Sequence, residues 1–300
     1  MINRSAIKYS LKKILPGAIF PIVIFVWRKV LLHVVEIIDT LRLKKFTSYC
    51  SKKIIYKNIS FELFLSPVNG FIDKHIFLYG VYEPFILDII KENLQVGSTF
   101  IDVGANIGQH SMFAASLVGK SGHVFTFEPI PSLYNQIKDS VKKNKYEGII
   151  HLNKIALGNK NSSELLYVSK NAGGSSIVNE DDTRETIEIN VSQGDAVLRK
   201  LKSPILIKID VEGYEYEVLS GLTQTLKKYK PTIILEYSGK FYKTKGTNHG
   251  IKILQLLREF GYRIFDIEDN LKEVLEDEAF DLTISNKRDQ TNIFCKIIEQ

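Results

Sequence analysis

Cysteine is scarce in this chain, which has only Cys50 and Cys295 in 300 residues. Two cysteines are too few for a framework of disulfides, and their spacing excludes a metal site built on closely spaced cysteines. Reduced thiols in a cytosolic setting are the simplest account. Long apolar runs are also lacking. The strongest one, Ile14 to Trp27, contains Pro16 and Pro21 and is shorter than the roughly 20 residues that a membrane-spanning helix needs.

Acidic residues are rare at the start of the chain. Residues 1–57 hold twelve Lys or Arg but only Glu36 and Asp39 as acids, a balance of +10, so the remainder carries −4 of the total +6. The basic character therefore belongs to an N-terminal extension. A nucleic-acid-binding protein would instead be expected to have a basic cleft, so we expect no nucleic-acid partner.

The extension also has an amphipathic pattern. Apolar residues recur with helical spacing from Val30 onward, and Trp27 precedes two cations. This pattern is typical of a helix lying in a membrane interface, which predicts peripheral membrane contact through residues 12–45. A helix packed on the rest of the chain or within a homodimer explains it equally well. No small-residue cleavage site is evident, so we expect a cytoplasmic protein, either free or at the cytoplasmic face of the membrane.

The segment Phe100–Gly108, FIDVGANIG, is the most informative stretch of the sequence. An apolar strand ends in Asp102, and a glycine turn and a helix start follow. In open α/β sheets small cofactors bind at this place. The glycine spacing departs from Gly-x-Gly-x-x-Gly, and a carboxylate here would repel a pyrophosphate but accept hydrogen bonds from an ammonium group. The pattern therefore favours the amino-acid end of S-adenosylmethionine (SAM) over NAD.

A second acid follows the next predicted strand. Residues 123–127 alternate like a strand and end in Glu128 and Pro129. Glu128 lies 20 residues after Gly108, the separation at which nucleotide-binding folds place an acid on the ribose hydroxyls. The alternative is a surface glutamate at a strand end.

A third strand, Ile205–Ile209, is continuously apolar except for Lys208, which predicts a central strand buried on both faces. Asp210 and Glu212 follow its carboxyl end. Burying two carboxylates is costly unless each has a partner, which favours a chemical role for them. A helix start capped by Asp210 is the alternative.

Several segments follow one another in a recognisable order. They are Gly80–Pro84, Phe100–Gly108, Phe127–Pro129, Ala156–Asn159, Gly173–Ile177, Lys208–Glu215 and Ile233–Tyr237. As an ordered set they closely resemble the FkbM family of SAM-dependent methyltransferases, over roughly residues 75–297. The resemblance implies a class I methyltransferase fold: α/β, doubly wound and Rossmann-like, with a mostly parallel seven-stranded sheet. We accordingly divide the chain into an extension, 1–57, and a methyltransferase domain, 58–300.

The resemblance implies SAM as cofactor, S-adenosylhomocysteine as product, and O-methylation of a hydroxyl on a small molecule or glycan. Asp210 is the first choice as general base, and Glu236, His249 and Glu212 are weaker candidates. Asp210, Glu212 and Glu236 could alternatively hold a divalent metal, which we do not favour. The residues expected to bind the cofactor are Glu83, Asp102, Gly104, Asn106, Gly108, Glu128, Asn159 and Asp210.

The remaining pattern predicts an insertion. Residues 164–169 and 186–192 are expected to form an extra pair of strands, and the Gly173–Ser176 loop between them is either a lid over the acceptor or a plain flexible hairpin loop. Residues 156–159 are expected to form a loop near the adenine, and 214–227 one helix. Two rival functions stay open: a non-catalytic SAM-binding module, and a membrane-associated assembly protein for glycan or lipid synthesis.

Overall fold

The computed structural model describes residues 34, 36–68, 70–168, 185–244 and 246–298. The chain forms two compact units, Met1–Ser48 and Tyr49–Gln300. In the first unit, residues 36–43 are helical. The rest of the segment expected at the membrane lies almost entirely outside the described residues, as does the Gly173–Ser176 loop. Within the described part of the chain, no helix combines the length and apolarity needed to cross a bilayer.

The second unit begins with a β-hairpin that the sequence analysis did not predict. Strand β1 (Cys50–Tyr56) pairs antiparallel with β2 (Ile59–Leu65). Alternate residues of β2 are buried. The hairpin is fixed to the helix 131–144, because Ser140 Oγ accepts from the Phe64 amide at 3.0 Å. The boundary expected after residue 57 therefore falls inside this hairpin, whereas the compact unit starts at Tyr49.

The centre of this unit is an eight-stranded sheet. In spatial order its strands are β12 (Lys272–Glu273), β11 (Arg263–Asp266), β13 (Thr291–Lys296), β10 (Thr232–Tyr237), β9 (Ile205–Ile209), β3 (Thr99–Val103), β4 (His123–Phe127) and β5 (Ile150–Asn153). Strands β3 and β9 are buried at every residue, as their unbroken apolar sequences predict for strands covered on both faces. Strands β5, β4, β3, β9 and β10 are parallel.

The other side of the sheet carries the antiparallel strand. Strand β13 (Thr291–Lys296) lies between β10 and β11 (Arg263–Asp266) and is antiparallel to both. The edge strand β12 (Lys272–Glu273) has only two residues. The expected seven strands are therefore present, with this short strand added. The α-helices described in this second unit are α1 Phe71–Tyr79, α2 Pro84–Asn93, α3 Gln109–Val118, α4 Pro131–Asn144, α5 Gly194–Val197, α6 Glu215–Ser220, α7 Thr223–Tyr229, α8 Gly239–Thr244, α9 His249–Glu259 and α10 Asp277–Thr283.

A separate three-stranded sheet confirms the expected extra strands. Strand β8 (Glu185–Gln193) pairs antiparallel with β7 (Ser162–Val168) and parallel with β6 (Ala156–Gly158). The prediction of a loop at 156–159 was therefore wrong for its first three residues. Backbone pairing with β8 is a long-range contact that no local pattern signals.

The single helix expected over 214–227 was also wrong, because α6 and α7 are separate and Gly221 lies between them. A Cβ at Gly221 would lie 1.9 Å from the Gly158 carbonyl oxygen. The helix ends where the chain passes against the end of β6, and only glycine permits that approach.

Candidate active site

A cavity of about 370 Å³ opens at the carboxyl ends of β3, β4, β9 and β10, the edge where open parallel sheets bind ligands. Strands β4 and β10 are three positions apart, about 14 Å at ordinary strand spacing. The cavity therefore has two ends. The Glu128 end comprises Glu128, Ile130, Leu133 and Leu157, and the Asp210 end comprises Glu83, Lys208, Asp210, Glu212 and Glu236.

The turn after β3 joins the two ends of the cavity. Gly104 has φ 81°, and a Cβ there would lie 1.8 Å from the carbonyl oxygen of Asp210. The Asp210 amide donates to the Val103 carbonyl at 3.0 Å. Glycine is required at 104 both by this close approach and by the left-handed conformation. Asn106, which also lines the cavity, is left-handed as well, with φ 55°.

Glu128 is buried and held by backbone groups. One carboxylate oxygen accepts from the Asn106 amide at 2.8 Å, and the other accepts from the Ile130 amide at 2.9 Å. Burial raises the pKa of Glu128 to about 8, and the two amide hydrogen bonds oppose that rise. The side chain is thus fixed in place before any ligand arrives, and in its ionised form it has acceptor capacity left for two hydroxyls.

Asp102 does not line this cavity among the described residues. It is fully buried, and one oxygen accepts from Ser111 Oγ of α3 at 2.6 Å. Ser111 Oγ also lies 2.8 Å from Thr126 Oγ1. Burial raises the pKa of Asp102, with the Lys208 ammonium opposing it. Asp102 therefore lies behind the turn and supports it. Its expected contact with the cofactor stays a prediction.

Lys208 is a buried cation that sequence reasoning noted without assigning a role. Its ammonium donates to an Asp210 carboxylate oxygen at 2.7 Å. Burial alone would lower the pKa of Lys208, but the carboxylates of Asp210, Asp102 and Glu83 outweigh burial and raise it. Lys208 is therefore charged, and it fixes the direction of the Asp210 side chain.

Three carboxylates meet at the Asp210 end, a proximity that the sequence analysis left open. Asp210, Glu212 and Glu236 each offer an oxygen within 4.8 Å of the others. Glu236 is 7% exposed, and its pKa is raised well above the ordinary value by burial and by the charges of Asp210 and Glu212. Such a group is protonated where an ordinary glutamate is ionised.

Glu83 precedes α2 and faces the same end. Its backbone is left-handed, with φ 47°, and the segment is tied to α3 because Tyr82 exchanges two hydrogen bonds with the Gln109 side chain, at 2.7 and 2.8 Å. Burial raises the pKa of Glu83 to about 7, and the Lys208 charge opposes that rise. One Glu83 oxygen lies 3.9 Å from Nε2 of His110.

Three of the expected site residues lie elsewhere. Gly108 begins α3 and a Cβ there would lie 3.0 Å from Ile137, so it serves the turn and helix packing. Asn159 is exposed, with its amide nitrogen 3.4 Å from Ser220 Oγ. His249 begins α9, and its Nδ1 lies 3.7 Å from a Glu217 oxygen. None of the three lines the cavity formed by the described residues, and their expected roles stay predictions.

Glu215 is a further residue whose place only the structure gives. Fully buried, it accepts from the amides of Val211 and Gly213 at 3.2 and 3.0 Å and from the Tyr242 hydroxyl at 2.6 Å. Burial raises its pKa to about 7. Glu215 shapes the turn that carries Glu212. The sequence offered only one hint of this contact, namely that Glu215 lies four residues after Val211, whose amide it accepts from.

The strand order defines the class. Five parallel strands, an antiparallel β13 inserted before β11 and a cleft at the carboxyl edge make this a Rossmann-like fold of the class I methyltransferase type. The methyltransferase FkbM domain matches residues 102–264, more than half of the chain. The chain belongs to the FkbM methyltransferase family.

Individual relatives are distant. The hexuronic acid methyltransferase AglP of Haloferax volcanii is 24% identical over 159 residues, which cover 52% of this chain and 63% of that protein. Methyltransferase 1 of Beauveria bassiana is 27% identical over 176 residues, which cover 51% of this chain and 66% of that protein. A crystal structure of an FkbM methyltransferase from Methylobacillus flagellatus is 14% identical, covers 74% of this chain and 53% of that one, and has a TM-score of 0.42. The chain thus covers slightly less than two thirds of these two sequence relatives.

Proposed function

We propose that this protein is a SAM-dependent methyltransferase that methylates a hydroxyl oxygen of a small molecule or glycan. Membership of the FkbM family supports the reaction class. The observation that carries the proposal is one cavity with a prepositioned carboxylate, Glu128, at one end and a cluster of carboxylates at the other. SAM, a sulfonium nucleoside, has the ribose diol towards one end and an ammonium group at the other.

The residues present fit this cofactor. Glu128 offers acceptors suited to ribose hydroxyls, and its Ile130 and Leu133 neighbours offer an apolar wall suited to a base. Asn106 Oδ1 is buried and has no hydrogen-bond partner within the described chain, which is a cost that a ligand donor removes. When bound, SAM supplies an electrophilic methyl group.

The chain's own residues supply orientation and a base. An alcohol needs its proton removed to attack at neutral pH, and Asp210 stands at the strand end with one oxygen held by Lys208. Its other oxygen remains for the acceptor hydroxyl. Glu236 is the second candidate, because burial and neighbouring charges raise its pKa toward the range where a general base works best.

Calorimetry and a radioactive methyl-transfer assay with a panel of hydroxylated acceptors test this proposal. Binding of S-adenosylhomocysteine together with SAM consumption only when an acceptor is present supports an enzyme. Binding with no transfer to any acceptor supports the binding-module alternative. Absence of binding to correctly folded protein contradicts both.

We also propose that turnover needs no divalent metal. Asp210, Glu212 and Glu236 have hard oxygen ligands that suit such a cation, but the Lys208 ammonium already neutralises Asp210 at 2.7 Å. Turnover should therefore survive EDTA unchanged. A loss that Mg²⁺ or Mn²⁺ restores would assign the cluster to a metal.

The proposed location is the cytoplasm, with peripheral membrane contact through residues 12–45. The basic balance of the extension supports this. Deleting residues 1–45 should release the protein from anionic vesicles and leave methyl transfer to a free acceptor intact. Loss of activity without a change in location would indicate that the extension packs on the domain, and sedimentation of the two forms tests the alternative of a homodimer.

A further inference from the structure

His110 is a buried histidine in the cavity wall to which sequence reasoning gave no role. Its side chain is 8% exposed, and it lines the cavity at the second position of α3. Its Nε2 atom has no hydrogen-bond partner in the described part of the chain. A buried ring nitrogen without a partner loses its hydrogen bond to water and gains none in return, so a ligand atom is expected to satisfy it.

The surroundings keep this imidazole neutral. Burial, followed by the charge of Lys208, lowers the pKa of His110 well below its ordinary value. The 3.9 Å approach of Nε2 to the Glu83 carboxylate is therefore not an ion pair, and it is too long for a hydrogen bond. A neutral imidazole has one nitrogen with a free lone pair. With the ring proton on Nδ1, that lone pair is on Nε2, and Nε2 and the Glu83 oxygen then form a pair of acceptors.

The charge of the cavity selects the donor that fits between them. Among the described residues that line it, Lys208 is the single Lys or Arg, whereas Glu83, Asp210 and Glu236 are acids of the same end. Lys208 is also already paired with Asp210. An ammonium group is a cation with donors only, and a nitrogen about 2.9 Å from both acceptors would hydrogen-bond to each.

The backbone supports a binding role for this pair. Glu83 is held in a left-handed conformation, φ 47°, which costs a non-glycine residue about 1 kcal/mol or more and persists where surrounding contacts enforce it. Those contacts are the two hydrogen bonds between Tyr82 and Gln109, next to His110 in sequence. The same two bonds thus fix Glu83 relative to α3.

We infer that His110 is a cofactor-binding residue and that its Nε2 accepts a hydrogen bond from the ammonium of the SAM amino-acid end, which Glu83 also holds. The inference rests on the proposed function. It assigns a role in affinity and orientation, and His110 takes no part in moving the methyl group or the acceptor proton.

Two ligands separate this contact from a general loss of structure. S-adenosylhomocysteine has the amino-acid end, and 5′-methylthioadenosine lacks it but keeps the nucleoside and sulfur. In calorimetry, His110→Phe should weaken S-adenosylhomocysteine binding about 10-fold or more, as expected for one lost hydrogen bond to a charged group, and change methylthioadenosine binding less than 2-fold. His110→Gln, which can place an acceptor near the Nε2 position, should recover most of the loss.

The controls make each outcome decisive. His151→Phe changes an exposed histidine on β5 and should leave both affinities unchanged. Equal weakening of both ligands by His110→Phe, or no weakening of either, overturns the inference while leaving the proposed function in place. Wild-type protein that binds neither ligand overturns the proposed function itself.

A measurement on the unsubstituted protein guards against a variant that does not fold. The nitrogen-15 resonance of His110 Nε2, identified by its loss in His110→Gln or by through-bond assignment, should shift when S-adenosylhomocysteine is added and not when methylthioadenosine is added. A resonance that responds to both ligands alike contradicts the assignment.

Discussion

The two ends of the cavity both use carboxylates, but in different surroundings and for different kinds of recognition. At the Glu128 end one carboxylate is held by two backbone amides and faces an apolar wall. At the Asp210 end several carboxylates crowd around one buried lysine. The first arrangement recognises shape and hydroxyls through fixed acceptors. The second holds excess negative charge, whose cost falls when a cation enters.

The largest effect should come from the turn that joins the two ends. In Gly104→Ala the new Cβ meets the Asp210 carbonyl oxygen at 1.8 Å, and φ is +81°. The turn and the start of the 210–213 segment must move apart, at a cost of about 3 kcal/mol or more. Thermal unfolding should show a large fall in Tm, or no folded protein. Gly148→Ala, where a Cβ meets nothing within 4 Å, is the matched control.

Substitutions at the Asp210 end should separate chemistry from binding. Asp210→Asn removes the proposed base and should lower kcat about 100-fold to 10,000-fold, while S-adenosylhomocysteine affinity changes far less. Glu236→Gln is the comparison. If Glu236→Gln has the larger effect and wild-type activity rises through neutral pH, the raised pKa of Glu236 identifies it as the base.

Substitutions at the Glu128 end should weaken binding of the nucleoside part of the ligand and not of its amino-acid end. Glu128→Gln keeps the size of the side chain but cannot accept through both atoms, and it should weaken S-adenosylhomocysteine and methylthioadenosine about equally, by about 10-fold to 100-fold. Exposed Glu147→Gln should change neither affinity. A Glu128 variant that lost affinity for S-adenosylhomocysteine only would place the ribose elsewhere and remove the contrast between the two ends.

The last prediction concerns pH and the ligand-free protein. Burial raises the pKa of Glu128 from 4.5 to about 8, so folding takes up a proton between these values. The unfolding free energy therefore falls as pH rises through that window. Raised values of about 7 for Glu83 and Glu215 act in the same direction. Tm should fall from pH 5 to pH 8, and Glu128→Gln should flatten part of the slope. A Tm that rises over this range contradicts the assignment.

Local sequence predicted a helix or strand correctly where the segment itself determines its conformation and its position in the chain. Residues 205–209 were expected to form a central strand buried on both faces, and β9 confirms it. The paired strands 164–169 and 186–192 were likewise confirmed by β7 and β8 as far as the described residues extend. These elements were predictable because periodicity and turn residues act over a few positions.

Contacts between distant segments were not predictable. The pairing of β6 with β8 and the break at Gly221 depend on partners far along the chain. The β1–β2 hairpin is local in sequence, but its place in the fold depends on the distant helix 131–144. The same is true of His110, which sequence reasoning did not consider. Its burial and its 3.9 Å distance from Glu83 arise only when α3 packs beside the segment before α2.

The sequence by itself determined the parallel strands of the central sheet, the glycine turn and the acids at the strand ends, because hydrophobic pattern and backbone sterics act locally. Parallel strands bring their carboxyl ends to one edge, so the sequence placed Asp210 and Glu236 at the same edge of the sheet, but only the structure showed that they meet. Tertiary structure alone decided that Asp102 faces Ser111 instead of the cavity, that Lys208 orients Asp210, and that His110 has an unsatisfied nitrogen. Side-chain direction and burial depend on the packing of neighbouring elements, which a local pattern does not specify.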